Sequence, residues 1–433
     1  MKIVVCALAT AALAAAASVP AQVTFDKDVL PVLQKNCQSC HRPGEAAPMS
    51  FLTYQQTRPW AKAIKAAVVS KKMPPWFADP HYGKFANDRT LSPAEIETLT
   101  AWVDTGAKEG NSKDAPKPVS FVDGWQIGKP DAVIEMPIAF DIPASGTIDY
   151  QYILVPTGFT EDKWVQAAEA RPGNKELVHH IIAFIREPGN PWMKDAKPGV
   201  PFVPKRDGGA GGRGGGFGDS LAGYAPGMVA PVLEPGQGKL VKAGSGIILQ
   251  MHYTATGKPG TDRSRVGVIF AKQPPKERVV TLAATTTDFA IPAGDPNYEV
   301  DSKVTLQHDA TLVSLLPHMH FRGKSFEYTA IYPNGEKEVL LDVPHYDFNW
   351  QLTYYLDKQK TLPAGTRIEC VAHYDNSPNN RFNPDPTKVV RFGEQTWEEM
   401  MFGFFDVAVP VDVTMMDLMR PKKPATKQSG AGL

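Results

Sequence analysis

The stretch Cys37-Gln38-Ser39-Cys40-His41 constrains this chain more than any other. C-x-x-C-H is the attachment signature of a c-type haem, in which the two thiols bond to the porphyrin and the histidine binds the iron. A zinc site would need a second ligand pair nearby, and none precedes His81. A thioredoxin-like motif would stand in a βαβ pattern, which this segment lacks. The sequence therefore predicts one covalent haem c, held by Cys37, Cys40 and His41.

Met73 is the predicted second axial ligand of that haem. It precedes Pro74 and Pro75, which end a helical pattern and fix a rigid loop. A thioether ligand makes an electron-transfer haem rather than an open oxygen-binding one. The alternative is that Met73 packs in a core, in which case Met49 or His81 would be the ligand.

Residues 1–21 have the pattern of a secretory signal peptide. Lys2 gives a positive start, residues 3–17 are almost entirely apolar, and residues 18–21 offer a small-residue cleavage site. The apolar run is too short to span a bilayer, and no later run approaches membrane length. We expect cleavage after Ala21 and an exported protein, periplasmic in a Gram-negative source, with no transmembrane segment.

Cysteine usage and charge narrow the class of protein further. Of the four cysteines, Cys6 lies in the predicted signal and two bind the predicted haem, so Cys370 remains without a disulfide partner. The exported protein must then be held together by burial, for which 433 residues suffice in two or three cores. The 46 basic and 46 acidic residues balance, without a basic block that would favour nucleic acid or an anionic membrane. No feature indicates an oligomeric state.

Periodicity predicts a small all-α domain followed by two all-β sandwich domains, jelly-roll-like. Residues 22–112 show helical spacing, including a capping box at Ser92-Pro93-Ala94-Glu95, and match a cytochrome c domain. A polar, proline-rich linker covers 111–120. Short alternating strands then predict sandwiches over 121–275 and 280–420. The glycine-rich insert 208–218 is expected to be a mobile surface loop, and 421–433 a disordered tail.

Five histidines lie in three apolar, strand-like contexts. They are His179-His180, His252 in Gln-Met-His-Tyr, and His318-Met319-His320. In H-x-H on a strand both rings point to one face, whereas adjacent histidines converge only at a bend, a bulge or a strand end. Each cluster alone is equally consistent with ordinary buried or surface histidines. Together they favour a metal, since several buried imidazoles are costly without partners. Zinc suits a site of histidines only, but a haem in the same chain favours copper.

The order of these motifs resembles the copper type II, ascorbate-dependent monooxygenases, the family of peptidylglycine α-hydroxylating and dopamine β-monooxygenases. The resemblance covers roughly residues 121–415. It implies one copper held by His179, His180 and His252, which transfers electrons. It implies a second, oxygen-binding copper held by His318, His320 and Met400, in Trp397-Glu398-Glu399-Met400-Met401. Met401 is the alternative thioether.

The chain also departs from that family. Members use several disulfides and take electrons from ascorbate, whereas this chain can form no disulfide and carries a predicted haem domain. The arginine and tyrosine that hold a peptide carboxylate in the peptide enzyme have no counterpart, so peptide amidation is not predicted. His345 and His373 are candidates for lining the second copper's cavity, with a structural role as the alternative, and His308 has no assigned role. Cys370 is expected to be an inert buried thiol, with copper ligation as the alternative.

The sequence thus predicts an exported copper monooxygenase that hydroxylates a C–H bond of a small organic substrate with O2. His318, His320 and Met400 are the predicted catalytic ligands, and the fused haem supplies electrons from an external donor. The alternative is a non-catalytic periplasmic electron-transfer or copper-binding protein on the same scaffold. A zinc hydrolase is disfavoured, because no carboxylate accompanies the histidines as a general base.

Overall fold

A computed structural model describes residues 22–45, 47–121, 124–203 and 219–420. The predicted signal peptide, the glycine-rich insert 208–218 and the tail 421–433 lie outside these ranges. Over the described residues the chain is mostly β-sheet with a few short helices, which is consistent with β-sandwich domains.

The helices lie almost entirely before residue 105. They are a π-helical turn Phe25–Val29, α1 Leu30–Asn36, α2 Tyr54–Thr57, a 3-10 turn Arg58–Trp60, α3 Ala61–Val69, α4 Pro93–Asp104, a 3-10 turn Ser112–Asp114 and, near the C-terminus, α5 Met415–Met419. The capping box is confirmed, since Ser92 and Glu95 each accept a hydrogen bond from the other's backbone N–H. Helix α4 ends at Asp104, shortly before Gly106 and Ala107, which take positive φ angles. Phe25, Leu99 and Trp102 fill the core of this part.

Twenty strands follow within the described residues. They are β1 Ala132–Glu135, β2 Phe140–Ile142, β3 Gln151–Pro156, β4 Lys163–Arg171, β5 Val178–Arg186, β6 Ser220–Tyr224, β7 Gln237–Val241, β8 Gly246–Tyr253, β9 Gly260–Asp262, β10 Arg265–Phe270, β11 Glu277–Thr285, β12 Ala290–Ile291, β13 Tyr298–Thr305, β14 Ala310–His318, β15 Gly323–Ile331, β16 Lys337–Val343, β17 Tyr354–Leu362, β18 Arg367–Tyr374, β19 Val390–Arg391 and β20 Phe402–Pro410.

Two pairs of sheets enclose two apolar cores. In the first, the sheet β3-β8-β5-β6 packs on β1-β10-β4-β7, with Ile153, Leu249 and Val266 among the fully buried residues. In the second, β13-β18-β15-β16 packs on β11-β20-β14-β17. Alternate residues of each strand point away from these cores, so the outer face of β3, β8 and β5 is free to meet the rest of the chain.

The two sandwiches are joined by a shared sheet. Strands β7 and β11 pair in parallel at Gln237 and Glu277, which makes one eight-stranded sheet, β1-β10-β4-β7-β11-β20-β14-β17. Beside this junction the Lys239 ammonium lies 3.4 Å from a carboxylate oxygen of Asp219 and 3.4 Å from one of Asp406, on β20. The sequence predicted two separate sandwiches and gave no sign of this continuity.

The helical part is docked on the second sandwich. The Asp79 N–H donates to the Asp342 carbonyl (2.8 Å), the Ala86 N–H donates to the Tyr355 carbonyl (2.9 Å), and Trp76 packs edge-on against Tyr354. Among the described residues, every helix is too short or too polar to cross a membrane.

Candidate metal centres

The imidazoles of His179, His180 and His252 converge on one point. Their ligand nitrogens all lie within 4.8 Å of one another. His180 pairs with His252 across β5 and β8, and the register shifts between Val178 and His180. His179 is the extra residue of that bulge, so two adjacent side chains reach the same side. The convergence that the sequence allowed only at a bend, bulge or strand end therefore occurs at a bulge.

Burial keeps these three rings neutral. It lowers the pKa of His179 to about 4 and the pKa values of His180 and His252 well below their usual range, and the neighbouring imidazoles lower the latter two further. His180 Nε2 and His252 Nδ1 are buried without a hydrogen-bond partner. Unsatisfied buried nitrogens are rare in proteins, and a neutral imidazole is the form that binds a metal. The donor set thus fits a metal ion.

His318 and His320 form a second pair, with ring centroids 5.3 Å apart. His318 Nδ1 donates to the side-chain oxygen of Gln351 (2.7 Å), and His320 Nδ1 lies 3.2 Å from the Glu398 carbonyl. When Nδ1 carries the proton, Nε2 keeps its lone pair, which is the arrangement seen around metal-bound histidines. His320 Nε2 is buried and has no partner. This pair also fits a metal.

Gln351→Leu should weaken metal binding at the second pair. The change removes the acceptor that fixes the His318 ring, and loss of such a partner typically costs about 10–100-fold in metal affinity. Competition with a copper chelator would measure it, with Gln359→Leu on β17 as the matched control. Equal affinities in Gln351→Leu and the wild type would contradict the assignment.

Met400 and Met401 precede β20 and differ in their surroundings. Both are buried, but Met401 packs in the core of the second sandwich with Phe405. On β20 the rings of Phe402 and Phe404 stack and lie 6.5 and 6.4 Å from that of His318. Alternation places Met400 on the side of Phe402 and Met401 on the opposite side. This favours Met400 as the thioether candidate.

The Glu399 carboxylate fixes the loop that carries His320. Its oxygens accept hydrogen bonds from the N–H groups of His320 (2.8 Å) and Arg322 (2.7 Å). Burial raises the pKa of Glu399 to about 8, although the N–H donors and the Arg322 guanidinium oppose the shift. Tyr346 acts on the same loop, where its hydroxyl bonds both backbone groups of Met319.

Two aromatic rings lie between the histidine sets. The ring centroid of Phe348 is 5.4 Å from His179, 5.9 Å from His252 and 6.3 Å from His320. The ring of Tyr150 likewise contacts the rings of His180, His252 and His320. The two candidate centres therefore face each other across buried aromatic side chains.

The Cys-x-x-Cys-His motif lines a cavity of about 590 Å³. Cys37, Cys40, His41 and Met73 all lie on its wall. His41 Nδ1 is 3.3 Å from the Met49 carbonyl, and the ring stacks on Phe51. This contact leaves Nε2 for a metal, and the volume is in the range of cofactor pockets. The lining thus fits a covalently attached haem.

The same cavity extends to the first histidine set. Its wall includes His179, Pro226, Asn349 and Trp350. Gly227 closes it beside the motif, where a Cβ would lie only 2.8 Å from an Arg89 nitrogen and 3.7 Å from Cys40 Sγ. Any group filling this space would touch both the helical part and His179.

The remaining candidate ligands lie in different surroundings. Met49 lies on the cavity wall, whereas His81 is exposed and bonds Asp79 instead. His345 is exposed and His373 bonds Ser325 and Glu299, which favours a structural role for both. His308 is half-buried. Cys370 is buried in the second core, and burial raises the pKa of its thiol, as expected for an inert residue.

The sequence did not reveal the role of the segment Tyr346–Gln351. It touches every candidate centre: Asn349 and Trp350 line the cavity, Phe348 packs against both histidine sets, and Gln351 bonds His318. Its residues follow no periodic pattern, and only their proximity in the fold connects them.

Comparison with known proteins gives no relative on which to base a function. No family model and no curated protein matches the chain. A structure of the infectious bursal disease virus Gx strain aligns with a TM-score of 0.18 and 9% identity, covering 66% of this chain and 72% of the other. A structure of the Gt strain gives 0.15 and 11%, covering 70% and 77%. Scores this low carry no inference.

Proposed function

We propose that this protein is an exported, copper-dependent monooxygenase that hydroxylates a C–H bond of a small organic substrate with O2. Electrons come from an external donor through a haem in its own helical domain, residues 22–112, which we assign as a cytochrome c domain. Two coppers and the haem would supply one-electron transfer and oxygen activation. The overall reaction consumes two electrons and two protons and releases one water.

The observation that carries this proposal is the position of His179. This side chain belongs to the three-histidine set and also forms part of the wall of the cavity bounded by Cys40, His41 and Met73. A haem attached at Cys37 and Cys40 would share that cavity with a metal ligand. This arrangement supports direct delivery of electrons within one chain.

The protein's own groups position and shield the chemistry. Gln351 and the Glu398 carbonyl orient the His318 and His320 rings so that both present Nε2. Glu399 and Tyr346 hold the intervening backbone. The buried rings of Tyr150 and Phe348 exclude water between the two histidine sets. Low polarity there strengthens each electrostatic contact.

A cavity of about 110 Å³ between the sandwiches is the candidate substrate site. The cavity reaches His180 and His318. Its walls are mainly apolar and include Leu316 and Phe404. Asp406, Ser314 and Lys239 also line it. Its size suits a small, largely apolar molecule.

Oxygen-dependent oxidation of the haem tests the proposal. The copper-loaded protein is reduced, mixed with O2, and followed by haem absorbance. We expect reoxidation to slow at least about 100-fold after copper removal or in His318→Ala, because a lost ligand costs more than a lost supporting hydrogen bond. An unchanged rate in both would refute the mechanism.

Copper stoichiometry separates the enzyme from a non-catalytic carrier. We expect two coppers per chain, one of them lost in Met400→Ala and neither in Met401→Ala. One tight copper without oxygen chemistry would favour the electron-transfer or copper-binding alternative.

A further inference from the structure

Tyr150 carries an unsatisfied polar group in the interior. The residue is 1% exposed, and its hydroxyl is buried without any hydrogen-bond partner. Its backbone N–H is satisfied by the Gln395 side chain, whereas the hydroxyl lacks a partner. A buried hydroxyl without a partner is unfavourable, and such a group in a native fold calls for an explanation.

The position of Tyr150 follows from strand pairing. It immediately precedes β3, where Gln151 pairs with Met251 of β8, so Tyr150 lies beside His252. His252 in turn pairs with His180 of β5. The three side chains form one row on the outer face of the sheet, and their ring centroids lie 4.8 and 5.4 Å from that of Tyr150.

Tyr150 also contacts the second set. Its ring lies 6.1 Å from that of His320, nearly perpendicular to it. His180 Nε2, His252 Nδ1 and His320 Nε2 are buried without partners around the same ring. Metal ions at the two centres would account for unpartnered imidazole nitrogens. They do not account for a neutral phenol, which is a poor copper ligand but a good hydrogen-bond donor.

We propose that the Tyr150 hydroxyl donates a hydrogen bond to the small exogenous ligand held at the His318/His320 centre. The inference rests on the proposed function only in requiring copper at that centre. A donor placed there would stabilise negative charge that develops on the ligand's outer atom, in a site from which water is excluded. Burial also raises the pKa of Tyr150 well above its usual range, which keeps the donor proton in place.

Carbon monoxide bound to the copper(I)-loaded protein is the probe. Its C–O stretching frequency falls when a donor contacts the oxygen, so Tyr150→Phe should raise the frequency and weaken CO binding several-fold. Tyr152→Phe is the matched control. Tyr152 is also fully buried on β3, but its hydroxyl is already partnered by Gln250 and Glu394. Copper content should be unchanged in both variants.

A second measurement uses the wild-type protein, so its result does not depend on whether the Tyr150→Phe variant folds. The C–O frequency should differ between H2O and D2O, because the Tyr150 hydroxyl proton exchanges. Identical frequencies in the two solvents, or in wild type and Tyr150→Phe, would overturn the inference. So would a complete absence of CO binding, or a phenolate-to-copper absorption band that Tyr150→Phe removes. If the shift occurs but O2 does not oxidise the haem, the monooxygenase proposal fails and the role of Tyr150 stands.

Discussion

Replacing His179 with alanine is expected to remove one copper ion per chain and to slow oxygen-dependent haem oxidation by at least about 100-fold. The variant loses one of three convergent nitrogens and also part of the wall of the cavity that Cys37, Cys40 and His41 line. A change in a ligand's supporting partner alone costs about 10–100-fold in metal affinity, so the ligand itself should cost more. Metal analysis and stopped-flow haem absorbance would measure the two effects.

The control for this variant is His345→Ala, which removes an exposed histidine from the segment next to Phe348. It should retain both coppers and the wild-type rate. Haem attachment should be intact in both variants, because Cys37, Cys40 and His41 are unchanged. If His179→Ala kept two coppers and oxidised its haem at the wild-type rate, the assignment of this residue to both sites would be wrong.

The metal-free protein should lose roughly 7 kcal/mol of unfolding free energy between pH 7 and pH 5. The unfolded chain's histidines protonate near pH 6.5, whereas burial holds the folded pKa of His179 and His318 near 4 and depresses those of His180, His252 and His320. The unfolded state therefore binds more protons in this interval, so stability falls as pH falls, by about 2 kcal/mol per histidine.

One carboxyl opposes this trend. Burial raises the folded pKa of Glu399 to about 8, so the native state takes up a proton that the unfolded chain accepts only near pH 4.5. This uptake offsets about 3 kcal/mol of the destabilisation caused by the histidines. Glu399→Gln should therefore show a steeper loss than the wild type. Copper should flatten the dependence, because a bound metal competes with protons. Thermal unfolding at pH 7, 6 and 5 would test this, and an equal Tm at all three without copper would contradict it.

Local patterns in the sequence predicted the helices and strands well, because capping and side-chain alternation depend on residues that are close in the chain. The Ser92–Glu95 capping box and the strands that contain His252 and His318 appear where expected. The H-x-H spacing brings His318 and His320 together, and the bulge at His179 satisfies the condition set for adjacent histidines.

Relations between distant parts of the chain were not predictable in this way. The parallel pairing of β7 with β11 involves only a few residues and leaves no periodic signal. Phe348 and Gln351 lie in a segment without regular structure, and their roles depend on which residues the fold places beside them. The unpartnered hydroxyl of Tyr150 depends on tertiary packing, which a single sequence does not encode locally.

The wall of the cavity that Cys37 and Cys40 line has a consequence for how the protein matures. Cys37 and Cys40 emerge early in synthesis, whereas Pro226, Asn349 and Trp350, which complete the wall, follow about two hundred and three hundred residues later. On the proposed function, the machinery that forms the thioether bonds needs open access to both thiols. Haem attachment then has to precede docking of the sandwiches. In a chain that folds first, the completed cavity wall would block access to both thiols.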